Sequence, residues 1–325
     1  MTQRPGARMT SPPTEERLKV AALGGGHGLA ASLTALRRLT PDLTGIVTVA
    51  DNGGSSGRLR EEFGILPPGD LRMALAALSG DDEHGRRWAS VLQHRFAGDG
   101  PLAGHAIGNL LIAAIWERLG DHVAGLDLVG ELLGSQGRVL PMAAVPLDIE
   151  ADVHLVSAPD RLTVVRGQAE VASVDGQVVS VRLEPHDPPA CPEAVAAVHD
   201  ADWVVVGPGS WFTSVMPTLL VPQLRDALVT TSARRALVLN LRGDRETAGL
   251  SATDHLEVLA AHAPELGLDV VLADSSVVDD AGHLEGTARQ LGARLVVDDV
   301  AQAAHSDQHD AARLAEAFRR FLSRA

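Results

Sequence analysis

The feature that most constrains the fold is a glycine cluster that separates an apolar segment from an amphipathic one near the start of the chain. Residues 18–23 form a short apolar run, which is typical of a buried strand. The cluster at 24–28 follows, and leucines then recur at helical spacing before a second, β-branched run at 44–50. Strand, glycine turn, helix and strand in this order predict a parallel βαβ unit.

The remainder of the chain continues this α/β pattern with one interruption. Helices are predicted near residues 70–80, 84–97, 105–134, 192–199 and 310–324. Buried strands are predicted at residues 203–206, 236–240, 270–273 and 294–297. Short alternating runs between 138 and 184 are separated by Asp-Gly and Pro-Asp turns, which indicates a small antiparallel β insertion. We therefore predict an α/β fold, a Rossmann-like parallel sheet flanked by helices, in a single domain at 18–325 with this insertion at about 138–184.

Composition excludes several classes of function. The chain has 28 basic and 42 acidic residues, a net charge of -14, and only 3% aromatic residues with no tyrosine, so we expect no nucleic-acid binding. The single cysteine, Cys191, cannot form an internal disulfide or a CxxC metal clamp. Residues 1–17 are typical of a polar disordered tail and not of a signal peptide. The longest apolar run, 110–116, is too short to span a bilayer, so we expect a cytoplasmic protein without membrane insertion.

The first glycine cluster matches a dinucleotide-binding fingerprint. Gly26, Gly28 and Ala31 fit the pattern GxGxxG/A between a strand and a helix. Glycines let the backbone approach phosphate oxygens, and the helix N-terminus offers free N–H groups. A tight turn that needs a positive φ would leave the same pattern. Asp51 ends the second strand, where an acid would bind the ribose hydroxyls of NAD.

Further polar residues follow that second strand. Residues 51–69 are predicted to form a long loop, whose first part is rich in hydrogen-bond donors but is not a Walker A loop, because it lacks lysine. Asp70 is placed to cap the following helix, with Arg72 in its first turn. Asn109 lies beside the apolar run at 110–112 and needs a partner if buried, either a ligand base or the backbone.

A second strand-to-glycine junction strengthens the nucleotide interpretation. Gly207, Pro208, Gly209 and Ser210 follow the predicted strand at 203–206. Hydroxyl groups are added to the same loop by Thr213 and Ser214. Ligands of open α/β sheets bind at the carboxyl ends of parallel strands. Together, the glycine loops predict a ligand with phosphate and polyhydroxyl parts.

Five segments of the chain, taken in order, resemble the gluconeogenesis factor (YvcK-like) family, which is related to 2-phospho-L-lactate transferase. They are AALGGGHGL, IVTVADNGGSSGRLREEFGILPPGDLR, HAIGNLLIAAI, PLDIEADV and WVVVGPGSWFTSVMPTLLVP. The resemblance runs from about residue 18 to the final helix. It implies a cytoplasmic regulatory protein that binds UDP-sugars such as UDP-N-acetylglucosamine and is linked to gluconeogenic growth, cell shape and cell-wall synthesis.

The resemblance also implies which positions bind the ligand. They are Gly24, Gly25, Gly26, His27, Gly28, Asp51, Asn52, Ser55, Ser56, Arg58, Gly69, Asp70, Arg72, Asn109, Gly207, Pro208, Gly209, Ser210, Thr213, Ser214 and Asn240. The phosphates are expected against 25–28 and 207–210, and the uridine or sugar near Asp51, Ser55, Ser56 and Asn109. No cofactor is required besides the UDP-sugar, although Asp51 admits Mg²⁺. The expected partner is a cell-wall synthesis or signalling protein, and a homo-oligomer is compatible with the sequence.

Three departures from the family pattern bear on function. Asn52 stands where a second acid is usual, and an Asp-Asn pair makes a weaker Mg²⁺ site than two acids. The segment 240–247 lacks the usual Gln-Pro and adds Arg242 and Arg245, either of which could meet a phosphate or lie exposed. His27 stands where threonine is common.

Two enzymatic alternatives stay open beside the regulator. One is a Mg²⁺-dependent transferase of the 2-phospho-L-lactate transferase type, which moves a phospho-linked group from a nucleotide diphosphate to an acceptor hydroxyl, with Asp51 or Asp70 as the base. The loss of the second acid at Asn52 argues against it. The other is an NAD-dependent oxidoreductase, but a chain without tyrosine has no catalytic Tyr, and the loop at 207–210 would be unexplained.

Overall fold

The structure, a computed structural model, describes residues 17–241, 245–303 and 307–323. The strands are β1 (Val20–Gly24), β2 (Leu43–Val47), β3 (Arg138–Pro141), β4 (Asp148–Leu155), β5 (Leu162–Arg166), β6 (Gly176–Glu184), β7 (Trp203–Val206), β8 (Arg234–Val238), β9 (Val270–Asp274) and β10 (Arg294–Asp298). The helices are α1 (Gly26–Leu36), α2 (Gly54–Phe63), α3 (Pro68–Leu78), α4 (Glu83–Gln93), α5 (Ile107–Leu119), α6 (His122–Leu133), α7 (Gln168–Ala172), α8 (Pro192–Asp200), α9 (Met216–Leu220), α10 (Pro222–Thr230), α11 (Ala252–His262), α12 (Ala281–Gln290) and α13 (Ala311–Arg319).

Seven strands form one parallel sheet in the order β10-β9-β8-β7-β1-β2-β3. From its centre the chain runs outward in one direction through β1, β2 and β3, and in the other through β7, β8, β9 and β10. The neighbouring strands β1 and β7 therefore mark the switch point of the sheet, where open α/β folds bind ligands. Both strands are wholly buried, as expected for parallel strands that helices cover on both faces. The predicted α/β fold is confirmed.

The strand register brings the two glycine loops together. β1 and β7 pair from Val20 with Trp203 to Leu23 with Val206, so both strands end at the same level. The residues that follow them, at 24–28 and 207–210, emerge side by side at the carboxyl edge of the sheet. Helix α1 then packs against α3 and α13 on one face, which fixes where the first turn of α1 points.

The small antiparallel sheet is present, but it begins later than the sequence indicates. It contains three strands in the order β5-β4-β6 and starts at Asp148. The prediction that residues 138–147 belong to it is wrong, because β3 pairs in parallel with β2 as an edge strand of the large sheet. A four-residue edge strand that ends in proline does not show the continuous apolar run that identifies buried parallel strands.

Two helix predictions also need correction. The segment 51–69 contains α2, and is therefore not a structureless loop. Its glycines and serines hide the helix, since these residues have low helix propensity. The segment predicted as one helix at 105–134 is two, because Gly120 adopts a left-handed conformation (φ 69°) and Asp121 caps α6. The predicted tail lies outside the described residues apart from Arg17. Among the helices of the described ranges, none is long and apolar enough to cross a membrane.

Candidate functional site

The first turn of α1 lies directly against the loop that follows β7. A Cβ atom at Gly28 would collide with the carbonyl group of Pro208 and would lie 2.7 Å from Cα of Gly209. Only glycine allows this approach, whatever its φ. The Oγ1 atom of Thr48 lies within hydrogen-bond distance of the carbonyl oxygens of Gly24 (3.1 Å) and Ser214 (3.0 Å). The two predicted loops therefore form one continuous backbone surface.

A side-chain amide fixes the second of these loops. The Gly209 N–H donates to Oδ1 of Asn240 at 2.9 Å, and Nδ2 of Asn240 donates back to the Gly209 carbonyl at 2.8 Å. Asn240 follows β8, so three neighbouring strands contribute to the site. The predicted role of Asn240 as a ligand contact is thus accompanied by a structural one, because both polar groups of its amide are already paired.

The hydroxyl-bearing residues after this loop differ in accessibility. Ser210 is half-buried, whereas Thr213 and Ser214 are buried in a π-helical turn, Trp211–Val215. The Oγ atom of Ser214 faces the first loop, since a Cβ at Gly25 would lie 3.2 Å from it. Of the three hydroxyls, that of Ser210 is the one left open to a ligand.

Asp70 lies at the N-terminus of α1 and does not cap its own helix. The N-cap of α3 is Pro67, so the predicted capping role is wrong. The proline at N1 supplies the fixed φ with which helices begin, and the carboxylate of Asp70 instead accepts a hydrogen bond from the Gly26 N–H. A Cβ at Gly25 would be 2.6 Å from Oδ2 of Asp70. An acid therefore occupies the position where the sequence analysis places a phosphate.

The environment of Asp70 favours its protonated form. Burial, followed by the negative charge of Asp51, raises the pKa of Asp70 to about 7, while the Gly26 N–H and the charge of Arg72 act in the opposite direction. Part of its surface is accessible at the base of the crevice, but protein surrounds it on most sides. At neutral pH the carboxyl group is therefore close to half-protonated.

Asp51 and Ser56 close around Gly69. The Oδ1 atom of Asp51 accepts the Gly53 N–H at 2.8 Å, and its Oδ2 atom lies 2.9 Å from the position that a Cβ at Gly69 would take. That Cβ would also collide with Oγ of Ser56. The start of α3 is thereby held against the start of α2, and Asp51 faces the same space as Asp70.

A buried polar chain joins three helices beneath this surface. Nε of Arg72 donates to Oδ1 of Asn109 at 2.8 Å, and Nδ2 of Asn109 donates to Oγ of Ser55 at 3.0 Å. Ser55 also lies 3.0 Å from Nδ1 of His105. Burial, followed by the charge of Arg58, lowers the pKa of His105, which favours the neutral imidazole. The structure brings Ser55 and Asn109 together as predicted, but their hydrogen-bonding groups are directed at each other.

The chain matches the family model described as 2-phospho-L-lactate transferase CofD over residues 20–316. It belongs to this family. The putative gluconeogenesis factor of Mycobacterium tuberculosis H37Rv is 55% identical over 301 residues, which cover 91% of this chain and 88% of that protein. The gluconeogenesis factor of Listeria monocytogenes is 34% identical over 296 residues, 88% of this chain and 89% of that protein. The resemblance predicted from the sequence is confirmed.

Solved structures of this family share the fold. A member of the UPF0052 family from Bacillus halodurans superposes with a TM-score of 0.82 at 31% identity, covering 94% of this chain and 100% of that one. The parallel sheet with its smaller antiparallel sheet is therefore the family architecture. What distinguishes this CofD family member is best seen at the positions that depart from the expected pattern.

Asn52 is one such position, and the structure gives it a partner. Its Nδ2 donates to Oε2 of Glu170 at 2.7 Å, and its Oδ1 accepts the N–H of Ala169 at 2.9 Å. Gln168 of the same helix, α7, donates to the carbonyl of Thr213 at 3.1 Å. Helix α7 thus contacts both the 51–58 segment and the π-helical turn. Sequence analysis missed it, because nothing in a five-residue helix within the insertion indicates that it folds over the site.

Other predicted positions lie to the side of the crevice. Arg58 is exposed and donates to the carbonyls of Pro101 (3.2 Å) and Ala103 (2.7 Å). Arg242 lies outside the described residues, and Arg245 is exposed. The next residue, Glu246, accepts the Phe212 N–H at 2.8 Å and so supports the π-helical turn. In the described part of the chain, no group of three or more His, Cys, Asp or Glu side chains could hold a metal by itself.

Proposed function

We propose that this protein binds a UDP-sugar in the crevice between β1 and β7 and acts as a regulator of gluconeogenic growth, cell shape and cell-wall synthesis. The observation that carries the proposal is the convergence of two glycine loops at the switch point of a parallel sheet. The relatives named gluconeogenesis factor support the gluconeogenic part. The partner that we expect is a cell-wall synthesis or signalling protein.

The diphosphate would lie over the first turn of α1 and beside Ser210. The first turn of a helix leaves N–H groups without intrahelical partners and carries a partial positive charge. Bulky side chains are absent from both loops, so phosphate oxygens can approach the backbone. The uridine and sugar would extend along the carboxyl edge, where Asn240 and a cavity of about 250 Å³ between β8 and β9 offer polar groups.

Asp70 makes diphosphate binding dependent on protonation or on a cation. Its carboxylate accepts the Gly26 N–H, so an ionised Asp70 would repel a phosphate placed there. A protonated Asp70 would instead donate a hydrogen bond to that phosphate. Because its pKa is about 7, both forms are available near neutral pH. The ligand would shift the population toward the form that it binds.

A Mg²⁺-dependent transferase is the second candidate, and the pairing of Asp51 with Asp70 favours it. Two carboxylates that face one space are what a hard cation on a diphosphate requires, and the phosphate oxygens would supply further ligands. Such a cation would replace the proton on Asp70 and polarise the transferred group. In this version Asp51 or Asp70 would hold the cation, or act as the base toward an acceptor hydroxyl.

Isothermal titration with UDP-N-acetylglucosamine, UDP-glucose, GDP and NAD, each with and without Mg²⁺, tests both candidates. Ligand at about 100 times its Kd should add about 2.7 kcal/mol of stability, a shift in Tm of several degrees. Binding of UDP-sugars without Mg²⁺ supports the regulator. Mg²⁺-dependent binding of GDP supports the transferase, and binding of NAD alone contradicts both.

A charge placed on the second loop identifies the site. Ser210→Asp adds a carboxylate where the phosphates are expected, without the backbone strain that a side chain at Gly209 (φ 151°) would cause. We expect loss of UDP-sugar binding in this variant with an unchanged Tm. The matched control is Ser232→Asp, an exposed position before β8 at the opposite edge of the sheet, which should bind normally. Equal affinity in both variants would remove this loop from the site.

A further inference from the structure

A second cleft opens from the first turn of α1 and runs along its outer flank. It has a volume of about 760 Å³ and lies between α1, α3, α4 and the segment around residues 307–311. Its lining follows one face of α1 from His27 to Thr34, a distance of about 10 Å along the helix axis. The cleft therefore leads away from the strand ends, and most of it lies outside the proposed nucleotide crevice.

The floor of this cleft is flat and made of small residues. Ala30 and Ala31 of α1, Ala76 and Ala77 of α3, and Ala89 of α4 line it. Alanines on three neighbouring helices leave room for a compact apolar body, and they form no hydrogen bonds that would select one. Selectivity must then come from the polar groups at the end and rim of the cleft.

Two arginines with no acidic partner face this space. Arg72 is 3% exposed and Arg95 is exposed, and both line the cleft. Arg72 uses Nε on Asn109, and Arg95 uses Nη1 on the carbonyl of Gly104 at 2.9 Å. Within the described residues neither arginine forms an ion pair. Asp307 is the one acidic side chain among the described lining residues, so the cleft carries a net positive charge in a chain of net charge -14.

The closeness of the two guanidinium groups has an energetic consequence. Burial, and next the charge of Arg95, lower the pKa of Arg72 to about 10, so Arg72 stays protonated at neutral pH while the two cations repel each other. An anion placed between them removes this repulsion and accepts charge-assisted hydrogen bonds. Guanidinium groups bind carboxylates and phosphates through paired N–H donors.

We propose that this cleft is a second ligand site, which binds a small acidic molecule through Arg72 and Arg95 with its compact apolar part on the alanine floor. The ligand class is a carboxylate or phosphate of a few carbon atoms, distinct from the nucleotide. Because His27 and Gly28 line both the cleft and the glycine loop, an occupant would lie next to the nucleotide. A molecule held there is placed to modulate nucleotide binding in a regulator, or to meet the nucleotide in a transferase.

Isothermal titration at constant ionic strength tests this site, with malonate and inorganic phosphate as the acidic probes and malonamide as the uncharged analogue. We expect one molecule of malonate per chain and no binding of malonamide. Arg95→Gln should weaken malonate binding at least about tenfold, since each charge-assisted hydrogen bond is a strong one. Arg72→Lys, which keeps the charge but loses the paired donors, should also weaken it. Asp307→Asn should strengthen it.

The matched control is Arg87→Gln, which removes the same charge from an exposed arginine on α4 that does not line the cleft. It should bind malonate as the unmodified protein does, and equal loss in Arg87→Gln and Arg95→Gln would overturn the proposal. Full competition between UDP and malonate for one site would also overturn it, because the arginines would then hold the nucleotide's own phosphates. Ser210→Asp should still bind malonate, so failure of the nucleotide proposal remains distinguishable.

Discussion

The side chain of Asn52 connects the crevice to the small antiparallel sheet by two hydrogen bonds, one to Oε2 of Glu170 (2.7 Å) and one from the N–H of Ala169 (2.9 Å). An amide can donate to a carboxylate and accept from a backbone N–H at once, which a carboxylate cannot do. The asparagine that looked like a weakened metal ligand in the sequence is therefore a connector in the structure. Helix α7 depends on it for its position over the site.

Asn52→Asp should loosen this connection. A carboxylate at position 52 would face the carboxylate of Glu170, and the hydrogen bond between the two side chains would be lost. Because both residues are partly or fully exposed, we expect a loss of only about 1 kcal/mol in the free energy of unfolding. Chemical denaturation measures it. The double variant Asn52→Asp with Glu170→Gln restores a donor and an acceptor and should recover most of the stability; no recovery would mean that the contact contributes nothing.

Asn240 gives a second prediction, on affinity. In Asn240→Asp, one carboxylate oxygen can still accept the Gly209 N–H, but the other would face the Gly209 carbonyl, to which Nδ2 now donates at 2.8 Å. The loop should shift, and UDP-N-acetylglucosamine affinity should fall about tenfold, or about 1.4 kcal/mol. Asn240→Ala, which removes both bonds without adding charge, should lose less. Titration calorimetry on the two variants decides, and a larger loss in Asn240→Ala would contradict this explanation.

Local patterns predicted most of the fold but not the partners of the polar residues. The runs at 18–23 and 203–206 predicted β1 and β7, because parallel strands covered on both faces read as continuous apolar segments. The edge strand β3 and helix α2 were missed, since a short edge strand and a glycine-serine helix start lack that signal. Element type follows from nearby residues, so it is accessible to sequence reasoning.

The site follows the same division. Which loops form it could be predicted, because strand ends share one edge of a parallel sheet. Which hydrogen bonds Asp70 and Asn109 form could not, because Gly26 and Arg72 reach them only through the packing of α1, α3 and α5. Position along the chain gave Asp70 a capping role, and tertiary packing gave it another.

The raised pKa of Asp70 predicts a specific pH dependence of stability. Its pKa is about 7 in the folded protein against 3.8 for an unperturbed carboxyl, so the folded state binds this proton more tightly. The contribution of Asp70 is therefore most favourable at low pH and is lost as pH rises through 7. Asp70→Asn keeps an acceptor for the Gly26 N–H without this titration. From pH 5 to pH 8, the unmodified protein should lose on the order of 1–2 kcal/mol relative to Asp70→Asn, after allowance for solvent screening.

Asp310 supplies the control for that experiment. Backbone N–H groups, that of Arg313 first, lower the pKa of Asp310, which caps α13. The stability that it contributes is present above its unfolded pKa and is lost only as pH falls through the folded value. Asp310→Asn should therefore change stability by the same amount at pH 5 and pH 8. Parallel pH profiles for the unmodified protein and Asp70→Asn would show that the carboxyl of Asp70 titrates normally.

Gly28 allows the closest approach between the two loops, and its replacement should separate them. A Cβ there would collide with the backbone carbonyl of Pro208, which no side-chain rotation can relieve. We expect Gly28→Ala to lower the free energy of unfolding by about 1–3 kcal/mol and to abolish UDP-sugar binding. Gly286→Ala is the matched control, because a Cβ at this position in α12 meets nothing within 4 Å, and alanine in a helix should add about 0.5–1 kcal/mol. If Gly28→Ala were as stable as Gly286→Ala and bound the nucleotide, the two loops could not be in the contact on which the proposed site depends.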